Sequence, residues 1–285
     1  MILVILSILL IFAVIFYLFD RVIPRLFSGT IAVIACLGIF FCWFGPQINL
    51  SPLSQTETST AKNSSYNDIR KQLVRLTDRS SPGSNRNYYY ILGKAQFSSF
   101  SRLKHPGVLN NFDAMGRPST AQAKLTRDMY FASSGSRQGT PLNPPNLCWP
   151  KNRKAAIHFS LTNRTYHVYF YNRSHSVADS LAGSASYHSA ANFTAGTRSQ
   201  NVGANQKGGM RAPERYVEQY WMTHNNPGVI VKYEVTPVYN DLERIPRGSI
   251  VDVQSSDHIL NKRFVIINDA EGYNINYMFG QFKKN

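Results

Sequence analysis

Side chains suited to phosphate chemistry recur between positions 117 and 214 of this 285-residue sequence. The set of interest is Arg117, Arg173, His175, Asn192, Arg198, Asn201 and Glu214. Hydrolysis of a phosphodiester needs a base that takes a proton from water, and a neutral imidazole suits this role near neutral pH. It also needs a cation that neutralises the charge on the phosphate and the leaving oxygen, and guanidinium groups that hold the phosphates. Mg²⁺ asks for only one or two oxygen ligands from a protein, so an amide oxygen suffices.

Each of these residues also has a simpler structural explanation. A single His after a strand is usually structural, and the Asn and Gly residues of "NVGANQKGG" are ordinary loop formers. A Glu in the first turn of a helix is explained by the helix dipole. The order and spacing of the whole set, rather than any one member, therefore indicate the chemistry.

The predicted elements around this set are a strand and an amphipathic helix. The segment "TYHVYFYN" (165–172) alternates and is rich in β-formers, so it predicts a strand directly before His175. The segment "RAPERYVEQYWMTH" (211–224) has Pro213 near its start and apolar residues at helical spacing, which predicts a helix with Glu214 in its first turn. Further strands are predicted at 228–239, 248–255 and 263–269. The expected fold class is α+β, with an antiparallel sheet after a central helix.

The N-terminal sequence predicts a membrane hairpin. Residues 1–19 carry no charged side chain and as a helix would span about 28 Å, close to a bilayer core of about 30 Å. A second apolar run covers 29–45, and Arg21 and Arg25 lie between the two. No basic residue precedes the first run, which argues against a cleaved signal peptide. The alternative is a buried core hairpin. The arginines predict a cytoplasmic loop, so both chain ends would face outward.

The domain prediction has three parts: a transmembrane hairpin (1–48), a polar extracellular linker (49–87) and a globular domain (88–285). Ile69, Leu73 and Leu76 could form one face of a short helix within the linker.

The charge balance points to a polyanionic partner. The sequence has 31 Lys and Arg against 16 Asp and Glu, a net charge of +15. Nucleic acid, anionic lipid and acidic wall polymers are the usual partners of such a surplus. Of three cysteines, two lie in the second apolar run, so Cys148 has no partner for an internal disulfide in the globular part.

Several stretches together resemble the DNA/RNA non-specific endonuclease family, in particular its bacterial DNA-entry and surface nucleases. They are "YNRSH", "NFTAGTRSQNVGANQKGGM", "VKYEVTPVY", "GSIVDVQSSD" and "IINDAEGYNINYMFGQF". The resemblance covers roughly residues 88–285 and is strongest from 170 to 282. The commoner core of the family is Asp-Arg-Gly-His, whereas this sequence has Asn172-Arg173-Ser174-His175.

The resemblance implies a ββα-metal nuclease domain. In it His175 corresponds to the general base and Asn201 to the amide that binds Mg²⁺, with Mn²⁺ as an alternative ion. Asn192 corresponds to an amide that supports substrate and site geometry.

The resemblance also implies roles for a carboxylate and for arginines. Glu214 corresponds to the carboxylate that reaches metal-bound water, with Glu218 one helical turn later as its rival. Arg173 and Arg117 correspond to phosphate-binding arginines, and Arg198 is assigned to substrate binding beside them.

The expected function is that of a bacterial membrane-anchored nuclease with its catalytic domain outside the cell. It would cut DNA, and RNA as well, and contact the lipid bilayer through residues 1–48. One alternative is a surface DNA receptor that does not cut and uses the basic charge and "NYYY" (87–90). Another is a wall-associated protein that holds anionic polymers. The base-plus-amide set favours the enzyme, since neither alternative needs His175.

Overall fold

A computed structural model describes residues 65–133 and 146–285, all within the compact unit Thr58–Asn285. The predicted membrane hairpin and residues 49–64 of the predicted linker lie outside the described residues. Among those that are described, no helix is long and apolar enough to cross a bilayer.

The helices are short and the strands are more numerous. The helices are α1 (Tyr66–Thr77), α2 (Arg127–Ala132), α3 (Asp179–Ala182), α4 (Arg198–Val202) and α5 (Arg211–Thr223), with 3₁₀ turns at Gly183–Tyr187 and Ala190–Asn192. The strands are β1 (Tyr89–Ile91), β2 (Gly107–Leu109), β3 (Ala121–Leu125), β4 (Lys154–Phe159), β5 (Arg164–Tyr169), β6 (Tyr171–His175), β7 (Phe193–Thr197), β8 (Val231–Val238), β9 (Gly248–Ser255), β10 (Asn261–Ile267), β11 (Tyr273–Ile275) and β12 (Phe282–Lys284).

A six-stranded antiparallel sheet forms the centre, in the order β1-β10-β9-β8-β3-β2. Its longest pairing joins β8 and β9 from Val231↔Ser255 to Val238↔Gly248. Three further strand pairs, β4–β5, β6–β7 and β11–β12, stand apart from this sheet. The predicted α+β class with an antiparallel sheet is confirmed, but only three strands of the sheet follow the central helix α5, because β1, β2 and β3 precede it in the chain.

One face of the sheet is covered by α5. Val217 and Trp221 of this helix are buried in one hydrophobic cluster with Tyr233 of β8 and Val251 of β9. Full burial of one such side chain contributes about 1.5–3 kcal/mol. This packing fixes the helix that carries Glu214, and it confirms the helix predicted over 211–224.

The other face of the sheet is covered by α1. Ile69 and Leu73 are fully buried in a second cluster with Ile250 and Val265. These two strand residues neighbour Val251 and Phe264 of the first cluster, as expected when successive side chains alternate between the faces of a strand. Both faces of the central strands are therefore buried.

Helix α1 corrects the predicted linker. Ser65 caps it, because its side chain accepts from the Asp68 backbone N–H while the Asp68 carboxylate accepts from the Ser65 backbone N–H. The short helix expected from Ile69, Leu73 and Leu76 is therefore present, but it is part of the core. Residues 65–87 belong to the compact unit rather than to a linker, because a narrow apolar stripe inside a polar segment is enough to bury a helix.

Candidate active site

The candidate site is built on a β-hairpin followed directly by a helix. Strands β6 and β7 pair antiparallel from Tyr171↔Thr197 to His175↔Phe193. The side chain of Thr197 caps α4 by accepting from the Gln200 backbone N–H at 3.0 Å. The Thr197 hydroxyl also donates to the Asp269 carbonyl at 2.7 Å, which fixes the turn to the chain beyond β10. Helix α4 contacts both strands, so the three elements form one ββα unit.

Gly196 lets α4 approach the hairpin. A Cβ at this position would lie 1.7 Å from Gln200 Oε1 and 2.6 Å from Ser174 Cβ. The fully buried Gln200 side chain therefore occupies the space above the strand that any other residue would fill. Because Asn201 follows Gln200, this packing also sets where Asn201 lies relative to the hairpin.

His175 is the last residue of β6. The sequence predicted one strand over 165–172 with His175 after it, whereas the structure divides that segment at Phe170. Phe170 stacks on Phe282 at 3.7 Å between ring centroids, a contact between distant parts of the chain. Since side chains alternate along a strand, Arg173 and His175 share one face of the hairpin. Both side chains are half-buried.

The imidazole of His175 packs against two aromatic rings. Its centroid lies 4.7 Å from that of Phe193 and 5.1 Å from that of Tyr187. Phe193 is the register partner of His175, and Tyr187 ends the 3₁₀ turn Gly183–Tyr187. Tyr187 and Phe193 also lie 5.8 Å apart between centroids, so the three rings form one cluster that restricts the orientation of the imidazole.

Asn192 is fully buried next to the end of β6, where its side chain holds the backbone through hydrogen bonds. Its Oδ1 accepts from the Val177 N–H at 2.9 Å, and its Nδ2 donates to the carbonyls of Val177 at 2.9 Å and Ser186 at 2.8 Å. These bonds fix the segment that follows His175. The side chain is 0% exposed, so a contact with substrate would require it to break them. In this structure the Asn192 side chain therefore supports the backbone. The sequence could not reveal hydrogen bonds to backbone groups of other segments.

Asn201 differs from Asn192 in its exposure. It lies in the last turn of α4 with its side chain half-buried. Gly203, the next residue but one, has φ +66°, and its Cβ position would meet Asn87 and Gly208 at 2.5 Å. A glycine is needed here both for the backbone conformation and for the close approach.

Asn87 anchors the Gly-rich loop that connects α4 to α5, a role that sequence reasoning missed. Its Oδ1 accepts from the Ala204 N–H at 2.8 Å, and its carbonyl accepts from the Gly209 N–H at 2.9 Å. The Met210 N–H then donates to the Gln200 carbonyl at 2.7 Å. The only available signal was an Asn beside a predicted domain boundary, which is too common to be informative.

Glu214 and Glu218 share one guanidinium at the start of α5. Arg211 Nη1 donates to Glu214 Oε2 at 2.5 Å, and Arg211 Nη2 donates to Glu218 Oε2 at 2.8 Å. Ser180 of α3, which follows the His175 strand, donates to Glu218 at 2.7 Å. Arg211 was not among the sequence-predicted site residues, although its (i, i+3) spacing to Glu214 was visible.

The two carboxyl groups differ in their pKa values. Burial raises the pKa of Glu214 to about 7 despite the attraction of Arg211. Burial also acts to raise the pKa of Glu218, but hydrogen bonds from Arg211 and Ser180 outweigh it, so this pKa is lowered. Two carboxylates beside a single cation cannot ionise with equal ease, and the more deeply buried one retains its proton to higher pH.

Arg198 opens helix α4. Its Nη2 donates to Gln206 Oε1 at 2.7 Å, and partial burial lowers the pKa of its guanidinium. Its backbone N–H donates to the Phe170 carbonyl at 3.1 Å, so it lies beside the start of β6.

Arg117 is held in a separate group of interactions. Its Nε donates to Asp113 at 2.7 Å, its Nη1 donates to the carbonyls of Asp241 and Glu243 at 2.8 Å, and it stacks 4.3 Å from the Tyr239 ring centroid. A phosphate would have to compete with these partners. The structure therefore does not present Arg117 as an open phosphate-binding group, because protein atoms already bind three of its N–H groups.

A short segment nevertheless joins the Arg117 turn to the site hairpin. Asn146 Nδ2 donates to the Phe193 carbonyl at 2.7 Å, and Cys148 Sγ lies 3.7 Å from the Gly116 carbonyl oxygen. The turn is thus a neighbour of the hairpin end.

The donor atoms present are suited to a hard cation. Over residues 65–133 and 146–285, no three His, Cys, Asp or Glu side chains converge on one point. The ββα unit instead offers the amide oxygen of Asn201. Mg²⁺ keeps most of its waters and accepts amide oxygen, so this donor chemistry fits it.

The comparisons with known proteins agree with this geometry. The model of the DNA/RNA non-specific endonuclease family matches residues 103–257. A deoxyribonuclease from Streptococcus dysgalactiae subsp. equisimilis is 30% identical over 247 residues, covering 70% of this chain and 73% of the relative.

Solved structures share the fold. Sda1 nuclease with a bound zinc ion superposes with a TM-score of 0.62 at 27% identity, over 72% of this chain and 100% of that one. NucA from Streptococcus agalactiae without metal gives a TM-score of 0.54 at 22% identity, over 79% and 100%. NucA with a magnesium ion gives 0.53 at 22% identity, over 75% and 96%.

The β-hairpin, the helix that follows it and the set of His, Asn and Arg side chains define a ββα-type nuclease domain. The chain belongs to the DNA/RNA non-specific endonuclease family, and it is a nuclease.

Proposed function

We propose that this nuclease hydrolyses internal phosphodiester bonds of DNA, and of RNA as well, with a bound Mg²⁺ or Mn²⁺ ion. His175 acts as general base, Asn201 holds the metal and Arg173 contacts phosphate. The observation that carries the proposal is the ββα unit itself. It places Arg173 and His175 on one hairpin face and packs the helix of Asn201 against both strands.

The residues of the site act in distinct ways. His175 accepts a proton from the attacking water, and its aromatic neighbours keep the ring in one orientation. Arg173 offers a guanidinium fork to the phosphate beside it. Asn192 keeps the backbone after His175 fixed through its three buried hydrogen bonds. A bound divalent ion would neutralise the charge that develops on the phosphate and the leaving oxygen.

Contacts of this kind explain cleavage with little sequence preference. Arg173 would meet phosphate, and phosphate contacts carry no direct sequence information. The net charge of +15 favours any polyanionic strand. DNA and RNA both present such a backbone.

Replacing Asn201 and Asn192 by Ala, one at a time, tests whether the first binds the metal and the second supports the structure. Asn201→Ala should keep its stability and lose cleavage, with part of the rate restored by more Mg²⁺, because the lost group only binds metal. Asn192→Ala should lose on the order of 2 kcal/mol or more of unfolding free energy, because three buried polar groups lose their partner. Urea denaturation and plasmid cleavage over a Mg²⁺ titration measure both effects.

The same experiment can contradict the assignment. Full activity of Asn201→Ala at low Mg²⁺ would remove Asn201 as a ligand. A stable Asn192→Ala variant whose cleavage recovers with Mg²⁺ would exchange the two roles.

We also propose that residues 1–48 attach the nuclease to the bacterial cell membrane, with the catalytic domain outside. Support comes from two apolar runs separated by Arg21 and Arg25, which favour a cytoplasmic loop. Protease added to intact protoplasts should then remove the nuclease domain. Protection of the domain until the cells are lysed would contradict this topology.

A further inference from the structure

The two-stranded ribbon β4–β5 has one buried face and one exposed face. It pairs antiparallel from Lys154↔Tyr169 to Phe159↔Arg164. Ile157 and Phe159 are fully buried and face the core. Because side chains alternate along a strand and paired residues share a face, the intervening β4 residues and their β5 register partners form the other face. That outer face consists of Lys154, Ala156, His158, Thr165, His167 and Tyr169.

The open end of the outer face combines an aromatic ring with a cation. Tyr169 is 55% exposed, which is unusual for so large an apolar ring. Lys154 Nζ lies 5.9 Å from the centroid of this ring. His167, on the same strand face, is exposed as well. An exposed ring beside an ammonium group can stack on a base while the cation meets the adjoining phosphate.

The charge of the ribbon favours a polyanion. The segment 154–169 contains Lys154 and Arg164 and no Asp or Glu. The acidic neighbour that the structure shows is Glu271, which accepts from the backbone N–H of Ser160 at 3.0 Å. Ser160 lies at the turn, so this carboxylate is at the opposite end from Tyr169.

The open end of the ribbon is fixed to the strand that carries His175. Asn152 Oδ1 accepts from the Tyr171 N–H at 3.0 Å, and Asn152 Nδ2 donates to the Tyr171 carbonyl at 2.7 Å. The Phe170 N–H donates to the Arg153 carbonyl at 3.0 Å. Tyr169 therefore lies next to the beginning of β6, and His175 lies at its end. At about 3.3 Å per residue, the two positions are roughly 20 Å apart along the chain.

We propose that the outer face of this ribbon binds a single-stranded segment of the nucleic acid whose backbone lies in the active site. Tyr169 stacks on a base and Lys154 contacts the neighbouring phosphate. The inference rests on the proposed function, since it takes the substrate of that site as its ligand. A single strand is favoured over a duplex because the base faces of a duplex are already stacked on one another and cannot reach Tyr169.

The test measures binding apart from cleavage. The full chain carrying His175→Ala is titrated against a fluorescent oligothymidylate and against a duplex of equal length, and anisotropy reports affinity. Tyr169→Ala should weaken binding of the single strand about tenfold, the usual scale for loss of one base–aromatic stack. Tyr169→Phe keeps the ring and should bind like the parent. Duplex binding should change by less than the single-strand binding in both variants.

A charge-matched pair isolates the contribution of Lys154. Lys154→Glu should weaken single-strand binding several-fold. Lys262→Glu makes the same charge change on β10 of the central sheet, where the lysine Nζ lies 5.0 Å from the ring centroid of Tyr216 on α5. This control should bind like the parent.

Two results would overturn the inference. One is parental single-strand affinity in Tyr169→Ala. The other is an equal loss on single strand and duplex, which would make the ribbon a general electrostatic surface. Cleavage by the chain with His175 intact is measured beside these titrations. Failure of the ribbon inference is therefore distinguishable from failure of the proposed function, which would appear as no cleavage at all.

Discussion

Arg211 binds two carboxylates at the start of α5, and this sharing decides how each one ionises. Glu214 is 6% exposed and Glu218 is more accessible. If both carboxyl groups were ionised, Arg211, Glu214 and Glu218 together would carry a net negative charge in a region that water solvates poorly. Burial therefore raises the pKa of Glu214 to about 7. The carboxyl group that the resemblance assigns to metal-bound water is thus one that changes its charge near neutral pH.

Glu214→Gln should flatten the pH dependence of stability. The folded-state pKa of Glu214, about 7, is above its usual value of 4.5. The stabilisation from this group is therefore complete below about pH 4.5 and is lost as pH rises through about 7. The effect is on the order of 1–3 kcal/mol. Thermal melting of both proteins between about pH 5 and pH 8 measures it.

Glu218→Gln serves as the control for that experiment. The pKa of Glu218 is lowered, so its stabilisation is present at neutral pH and is lost as pH falls. Its removal should weaken the protein most at neutral pH. Identical pH profiles for the two variants would contradict the assignment of the higher pKa to Glu214.

At the scale of elements, the contact between helix α4 and the β6–β7 hairpin depends on a missing side chain. Gly196→Ala would place a Cβ 1.7 Å from Oε1 of the fully buried Gln200 and 2.6 Å from Ser174 Cβ, so this buried contact would have to shift. We expect a loss of about 1–3 kcal/mol of stability, typical of overpacking. The cleavage rate should fall by more than this loss of stability alone would cause, because Asn201 moves with Gln200.

Gly228→Ala is the matched control, because a Cβ there meets nothing within 4 Å. It should leave both urea unfolding and plasmid cleavage close to those of the parent. Parental cleavage in a folded Gly196→Ala variant would show that close packing of α4 does not position the site.

The periodicity of hydrophobic residues predicted the elements in which buried side chains recur at regular spacing. The strand expected over 248–255 has those bounds, and the helix expected over 211–224 ends one residue earlier. Contacts between distant segments could not be predicted in this way. The strand predicted over 165–172 is interrupted at Phe170, whose ring stacks on that of Phe282, and no local pattern encodes that contact.

The sequence indicated candidate site residues more clearly than it indicated their roles. Their order made His175, Asn192 and Asn201 candidates, yet Asn192 is enclosed by backbone groups of Val177 and Ser186. The engagement of Arg117 by Asp113 and by two distant carbonyls likewise depends on the folded chain. Sequence types therefore suggest the chemistry, and the fold decides which of those side chains remain available for it.

The whole molecule combines a basic surface with a fixed scaffold. Its net charge of +15 attracts any polyanion, so charge alone would suit a receptor as well as an enzyme. The central sheet, covered by α1 on one face and α5 on the other, also supports the small ββα unit that carries His175 and Asn201. We therefore expect the nuclease activity to depend on His175.

The most direct measurement is the rate at which the purified chain nicks covalently closed circular DNA. Closed circles have no ends, so nicking reports an endonuclease. We expect nicking with Mg²⁺, none with EDTA, and a loss of at least about 10²-fold in His175→Ala, the usual scale for removal of a general base. His188→Ala removes an exposed imidazole from the same hairpin connection and should nick like the parent. Nicking by His175→Ala at the parental rate, or cleavage confined to linear DNA, would contradict the account.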